Sequence, residues 1–462
     1  MRAKLPALRA HLDDSLFPAV RQSARRLRGW ELTLVVVALL TIAVVLQLAR
    51  MGWSASLNSL WAEDGPIYMQ EALTQDFWHA IVSTYATYLV LVPRLIAEAA
   101  SLVPLEDVPA AVSILSALVV AISGLAVWHA SAAHIRDPFL RGTLVVLTVL
   151  SPVAGLESLD SAAYVPWYML FASFWLLLWR PRTTWSACLG GLFLLLTGLS
   201  TPGLWFFAPL AALRVLALRD RRDLAIVGGY AVGALAQVPV LALTDETAVT
   251  PLWTHDIWTS YLQRVVDGAP LGLHPGGEIW AHLGWPFLIA LTLATIVAFA
   301  IGFKRGTAGA RWIAAIALPT SLVMFVISLY QRAVGEQMVW IEGMSSATGS
   351  RYAIVPALLV VSAALVLIDS AVRRRERSPA RPWATAATAT MAVLAIAVAG
   401  SFYVRNIEVR GAPPWDAALD QAKAVCLSEG GENAVVPTSP PGFGMAVPCD
   451  RLADGDAAAA RR

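Results

Sequence analysis

Two acidic residues stand side by side in the stretch Trp61-Ala62-Glu63-Asp64-Gly65-Pro66, just after the first long apolar run. Proline behind a flexible glycine is a helix-start signal, which places the pair at the mouth of a helix expected over 66–81. The positive end of that helix would keep a neighbouring carboxylate ionised. An ionised carboxylate at a membrane surface can take a proton from a hydroxyl nucleophile; the same two residues could equally cap the helix and face water. A second acidic pair, Glu157 and Asp160, is spaced three apart, so on a helical turn the two would share a face. Without a histidine partner such a pair suits a hard divalent cation, Mg or Mn, held mostly through water and phosphate oxygens. It could also contact an acceptor, and polar loop content explains it as well.

Cations that could meet a phosphate are few on the same side. Gly349-Ser350-Arg351-Tyr352 puts a guanidinium at a helix end behind two small residues that allow an anion to approach closely. Arginine grips phosphate in bidentate fashion, although an arginine at a helix end also serves as a snorkelling anchor. Arg332 and Arg94 are further candidates, Arg94 with Glu98 as its expected partner. The loop 244–279 holds Asp245, Glu246, His255, Asp256, Arg264, Asp267, His274 and Glu278 among tryptophans and a tyrosine. It lacks metal-site spacing. It reads as a lid over an acceptor groove, with His255 the candidate to reach the acceptor and the rest solvated.

The elements that must hold these residues follow from composition. Of 462 residues, 57% are apolar and 14% charged, and the mean hydropathy is +0.63. Soluble chains run nearer 25% charged, so a soluble globular enzyme, a disordered chain and a secreted disulfide scaffold are excluded. Crossing a hydrocarbon core about 30 Å thick takes roughly 20 helical residues, and runs of that kind recur along the chain: an all-α polytopic membrane protein.

Charge placement sets the topology. Residues 1–29 are basic, and further basic clusters lie at Arg136/Arg141, Arg180/Arg182, 214–222, 304–311 and 373–381. Placing all of them in the cytoplasm requires an even number of crossings between consecutive clusters. The apolar runs 32–48, 108–130, 142–156, 164–179, 185–199, 202–218, 224–243, 280–303, 311–330, 352–371 and 384–403 satisfy this as eleven spans. The segment 92–103 must then stay out of the bilayer core, where Arg94 and Glu98 would cost several kcal/mol. Arg94, Glu98 and Ser101 fall on one helical face and Leu95, Ala99, Leu102 and Val103 on another, the pattern of an interfacial helix. The chain then divides into a basic N-terminus (1–29), a membrane domain (30–403) with one long outer loop (51–107) carrying two interfacial helices, and an extracytoplasmic tail (404–462). The setting is a multi-pass protein of the cell membrane.

This plan resembles the integral-membrane glycosyltransferases of the GT-C fold: a first span, then a long outer loop with two membrane-parallel helices and an early acidic residue. The matching stretch is Trp61-Ala62-Glu63-Asp64-Gly65, and actinobacterial-type polytopic proteins with a similar opening share it. The resemblance implies Asp64 as general base, with Glu63 next to it, a polyprenyl-phosphate sugar as donor, inversion at the anomeric carbon and a glycan or lipid acceptor in the cell envelope. It also implies a role for Glu157 and Asp160 at metal or acceptor. A transporter or flippase of a lipid-linked precursor is the alternative; it would place charges deep in the spans and repeat one half of the chain in the other. No phosphate-binding glycine loop and no nucleic-acid module is found.

Three cysteines remain. Cys188 lies inside an apolar run, the place of a small buried residue. Cys426 and Cys449 both lie in the outer tail, where a disulfide between them would persist and staple a unit too small for a large core. Between them, 434–437 and 444–448 read as short extended pieces around Pro440-Pro441-Gly442, preceded by a helical stretch from Trp415.

Overall fold

The computed structural model describes residues 4–19, 28–217, 220–243, 252–332, 349–375, 381–403 and 413–453. Asp245 and Glu246 lie outside the described residues. Among the described residues six helices are long and apolar enough to cross a membrane: Gly29–Met51, Leu105–Ala133, Arg221–Ala242, Leu273–Arg305, Ala308–Arg332 and Arg351–Arg373. Five shorter apolar helices, Pro138–Val149, Ala162–Leu178, Thr184–Gly198, Pro202–Ala217 and Ala387–Gly400, take the remaining places. Each expected run has its helix, in order. The shorter five fall below the roughly 20 residues that a straight crossing takes.

The helices are apolar all round, and partner choice decides which face is covered. The Arg351–Arg373 helix is almost wholly enclosed, whereas Gly29–Met51 and Leu273–Arg305 turn apolar side chains such as Leu34, Leu39, Leu293 and Ile296 outward. Outward leucine and isoleucine suit lipid. The Thr184–Gly198 and Arg221–Leu243 helices touch backbone to backbone: a Cβ on Gly229 would lie 2.0 Å from the Gly191 carbonyl oxygen. Small residues permit that approach where no hydrophobic drive brings helices together.

The loop 51–107 departs from expectation in two ways. The helix expected over 66–81 is broken: a π turn at Gly65–Met69 and a helical turn at Gln70–Thr74 end at Gln75, and a new helix runs Phe77–Val82. The Asp76 carboxylate causes the break, accepting from the Trp78 and His79 amides as an N-cap. Met69, Leu73 and Ala80 are buried, whereas Phe77 turns outward. The second helix is Leu91–Ala100, and the partner expected for its arginine is not the one it takes. Its Arg94 is buried and paired with Glu71, not Glu98, while Leu102 beyond its end is 85% exposed. Arg94 goes inward because it finds a counter-ion there, beside buried Val92, Ile96 and Ala97, while Ala99 and Leu102 stay exposed.

The tail is a helix, Trp415–Glu429, followed by an antiparallel hairpin of Asn433–Thr438 and Phe443–Pro448 with Val435 opposite Ala446. Ala434, Val436, Met445 and Val447 form its buried face. The Cys426–Cys449 disulfide closes it. Cys188, expected inside, is exposed on the outward face of Thr184–Gly198; a face packed on lipid accepts a small apolar thiol as readily as a core does.

Candidate active site

The site is built where the segment 51–107 meets the segment 156–164. Ala62, Glu63 and Asp64 form one 3-10 turn, entered through Ala62 at a φ of +42°. A positive φ is costly for a residue with a Cβ, so neighbouring contacts must hold it. The π turn that follows widens the backbone, as such turns often do at functional sites.

Asp64 is 1% exposed. Its two oxygens accept the amides of Ala162 (3.1 Å) and Ala163 (2.9 Å), the first residues of the 3-10 turn that opens the Val165–Leu178 helix. It therefore caps a helix, but not its own. Burial nevertheless raises its pKa from the ordinary 3.8 to about 7, against the pull of those amides and with the Glu63 charge pushing the same way. The expectation that a helix end would keep it fully ionised is corrected: desolvation outweighs the dipole.

Glu63 is half-buried and holds two phenols, Tyr85 at 3.3 Å and Tyr164 at 3.1 Å. Burial and the Glu63 charge push the Tyr85 phenol upward, so it stays a donor. The Tyr164 hydroxyl also lies 3.4 Å from Nη1 of Arg351. Arg351 packs over the Tyr164 and Tyr352 rings, at 5.1 and 4.7 Å, and donates to the Tyr352 hydroxyl at 3.2 Å. A quarter of its side chain is exposed. One phenol thus bridges the first-loop carboxylate and the guanidinium.

Glu157 receives Nη1 of Arg351 at 2.8 Å and its backbone amide at 3.1 Å. Asp160 goes elsewhere: Leu159 is extended and Asp160 has a φ of +53°, so its carboxylate accepts from Ser56 at 2.5 Å. The two do not share a helical face, because the turn ends at Ser158. A divalent cation therefore finds no assembled donor set in them. Among the described residues no three of His, Cys, Asp and Glu come together as ligands.

Of the other candidates, Arg332 is exposed at the end of Ala308–Arg332, close enough for its charge to act on the Tyr85 and Tyr88 phenols. Arg94 is committed to Glu71 and the Ala80 carbonyl oxygen, outside the Glu63–Arg351 cluster. His255 is exposed beside Asp256, 3.2 Å away. Two residues of the same loop, read as solvated, are in fact buried: Arg264 and Asp267, on the π turn Leu262–Asp267. Burial pulls Arg264 down to about 10 while Glu157 acts against it, and burial raises Asp267 to about 7. Arg264 is thus a second cation whose charge is felt by Glu157. Periodicity could not find it, since π turns have no sequence signature.

No family model and no curated protein matches the chain. Among solved structures it is similar to the Archaeoglobus fulgidus oligosaccharyltransferase tethered to an acceptor peptide containing the NVT sequon, at 11% identity and a TM-score of 0.43, over 87% of this chain and 58% of that one. The same enzyme in complex with Zn and sulfate matches at 12% identity and a TM-score of 0.38, over 84% and 55%. The chain spans little more than half the length of these structures.

Proposed function

We propose that the chain is an inverting membrane glycosyltransferase that moves a sugar from a polyprenyl-phosphate donor to an extracytoplasmic glycan or lipid acceptor. The basic N-terminus lies in the cytoplasm and the tail outside. The acceptor oxygen attacks the anomeric carbon, its proton passes to Asp64, and the bond to the phosphate breaks so that polyprenyl phosphate leaves. Arg351, with Arg332 at the rim, faces the phosphate, and Tyr352 orients the guanidinium. Glu63 lines the acceptor side and raises the proton affinity of Asp64.

The observation that carries this reading is the Tyr164 hydroxyl, which touches both Glu63 and Arg351. It supports an acidic turn and a phosphate partner side by side, with Asp64 the next residue along that turn from Glu63. A base with a pKa near ambient pH is matched to its task. The resemblance of Trp61-Ala62-Glu63-Asp64-Gly65 to the GT-C opening supports the same assignment.

The test is transfer of labelled sugar from polyprenyl-phosphate donors in membranes, wild type against Asp64→Asn. Transfer by the wild type and its loss in a folded Asp64→Asn protein is the expected result. Movement of the lipid-linked precursor across vesicles without transfer would make the chain a flippase instead.

A further inference from the structure

The disulfide-closed tail does not hang free; it is joined to the acidic turn by main-chain bonds. The Ala62 amide donates to the Ser439 carbonyl oxygen at 2.5 Å, and the Ser439 amide donates to Leu60 at 2.9 Å. Trp61 and Ser439 thereby form a parallel bridge. Farther along, the Ala446 amide donates to the Gln70 side chain at 2.9 Å, and the Trp415 indole to the Leu105 carbonyl oxygen at 2.8 Å. Thr438 and Ser439 are both buried at this joint. The fit is close enough that a Cβ on Gly65 would lie 2.7 Å from Cγ2 of Thr438.

These contacts fall on both sides of Ala62, whose positive φ sets the direction of Glu63 and Asp64. A backbone in that region persists only where its surroundings over-determine it. Nothing in the sequence of the turn supplies that: it has alanine where glycine would be at ease. We infer that the tail hairpin is a positioning element of the active site, its Thr438-Ser439 backbone holding the acidic turn in the conformation that presents Glu63 and Asp64. The inference rests on the reading of those two residues as the reacting pair. The Cys426–Cys449 bond secures the hairpin to its own helix, and hence to Leu105 through Trp415, so the clamp is anchored at both ends.

The test uses the full chain in detergent or membranes. Gly65→Ala should force Thr438 away from the turn, and Thr438→Ser, which removes the Cγ2 methyl, should let it return. Two quantities are read: amide hydrogen exchange across 60–66, and sugar transfer with its pH profile. Gly65→Ala is expected to speed exchange about tenfold or more, as overpacking of a fitted joint does, to cut transfer and to move its acidic limb toward lower pH as Asp64 loses burial. The Gly65→Ala/Thr438→Ser double variant is expected to return both toward wild type. Cys426→Ser with Cys449→Ser, which leaves the first loop untouched, is expected to act in the same direction as Gly65→Ala. Unchanged exchange in Gly65→Ala and in the cysteine variant overturns the proposal, as does failure of the double variant to recover. Exchange does not depend on turnover, so an inactive wild type would strike the transferase reading alone.

Discussion

Asp64→Asn separates the cost of the acidic turn from its use. The carboxylate is buried, its pKa raised from 3.8 to about 7, so the folded protein holds the proton more tightly than the unfolded chain. Stability from this group is complete below about pH 4 and is lost as pH rises to about 7, a change of roughly 4 kcal/mol. Asparagine cannot ionise and is free of that loss. It has one drawback: its amide nitrogen must face one of the two donors, Ala162 or Ala163, now on the acid's oxygens. Leaving a buried donor unmatched costs about 1–3 kcal/mol. At about pH 8 the variant should therefore be equal to or more stable than wild type, and at about pH 5 the advantage should shrink or reverse. Thermal unfolding of both proteins in the same detergent, from about pH 5 to about pH 9, reads the difference as a few degrees. Transfer should fall by about 10²–10⁴ when the base is removed. A difference between the two unfolding curves that does not change with pH would refute the burial argument. Retained turnover would remove Asp64 from proton transfer.

Three further outcomes follow from the same contacts. Arg351→Lys keeps the charge but loses the fork and the packing over two rings, so transfer should fall about tenfold or more, mainly through a higher KM for the donor; an unchanged KM counts against phosphate contact. Tyr164→Phe removes the hydroxyl between Glu63 and Arg351 while leaving the ring, and should lower kcat with little effect on folding, which unfolding temperature and initial rates together would show. Arg94→Met leaves Glu71 half-buried without its partner and should cost about 3–5 kcal/mol, whereas Arg94→Met with Glu71→Met should recover most of it. If Arg94→Met instead folds normally and weakens donor binding, Arg94 belongs to the site after all.

Much of the architecture is written in the chain. Apolar runs near the thickness of a bilayer give each helix and its order, because transfer free energy sums locally along a segment. The tail was equally legible: alternation around Pro440-Pro441-Gly442 gives the hairpin, and two cysteines in one small unit give the disulfide. The acidic pair stood out because Glu63-Asp64 follows a span and precedes Gly65-Pro66. What the sequence could not give is the partner of each charge. Arg94 chose Glu71 over Glu98, Glu157 paired with Arg351 instead of sharing a face with Asp160, and Arg264 left a loop read as solvated to lie buried where the Glu157 charge reaches it. Each choice depends on which groups folding brings within a few ångströms in a medium of low dielectric, where one counter-ion decides whether a charge can be buried at all. The pKa of Asp64 and the clamp of Ser439 on Ala62 are of the same kind. Local sequence determined where helices, strands and acids would stand; only tertiary packing, joining residues hundreds of positions apart, decided what each acid would touch and how tightly it would hold its proton.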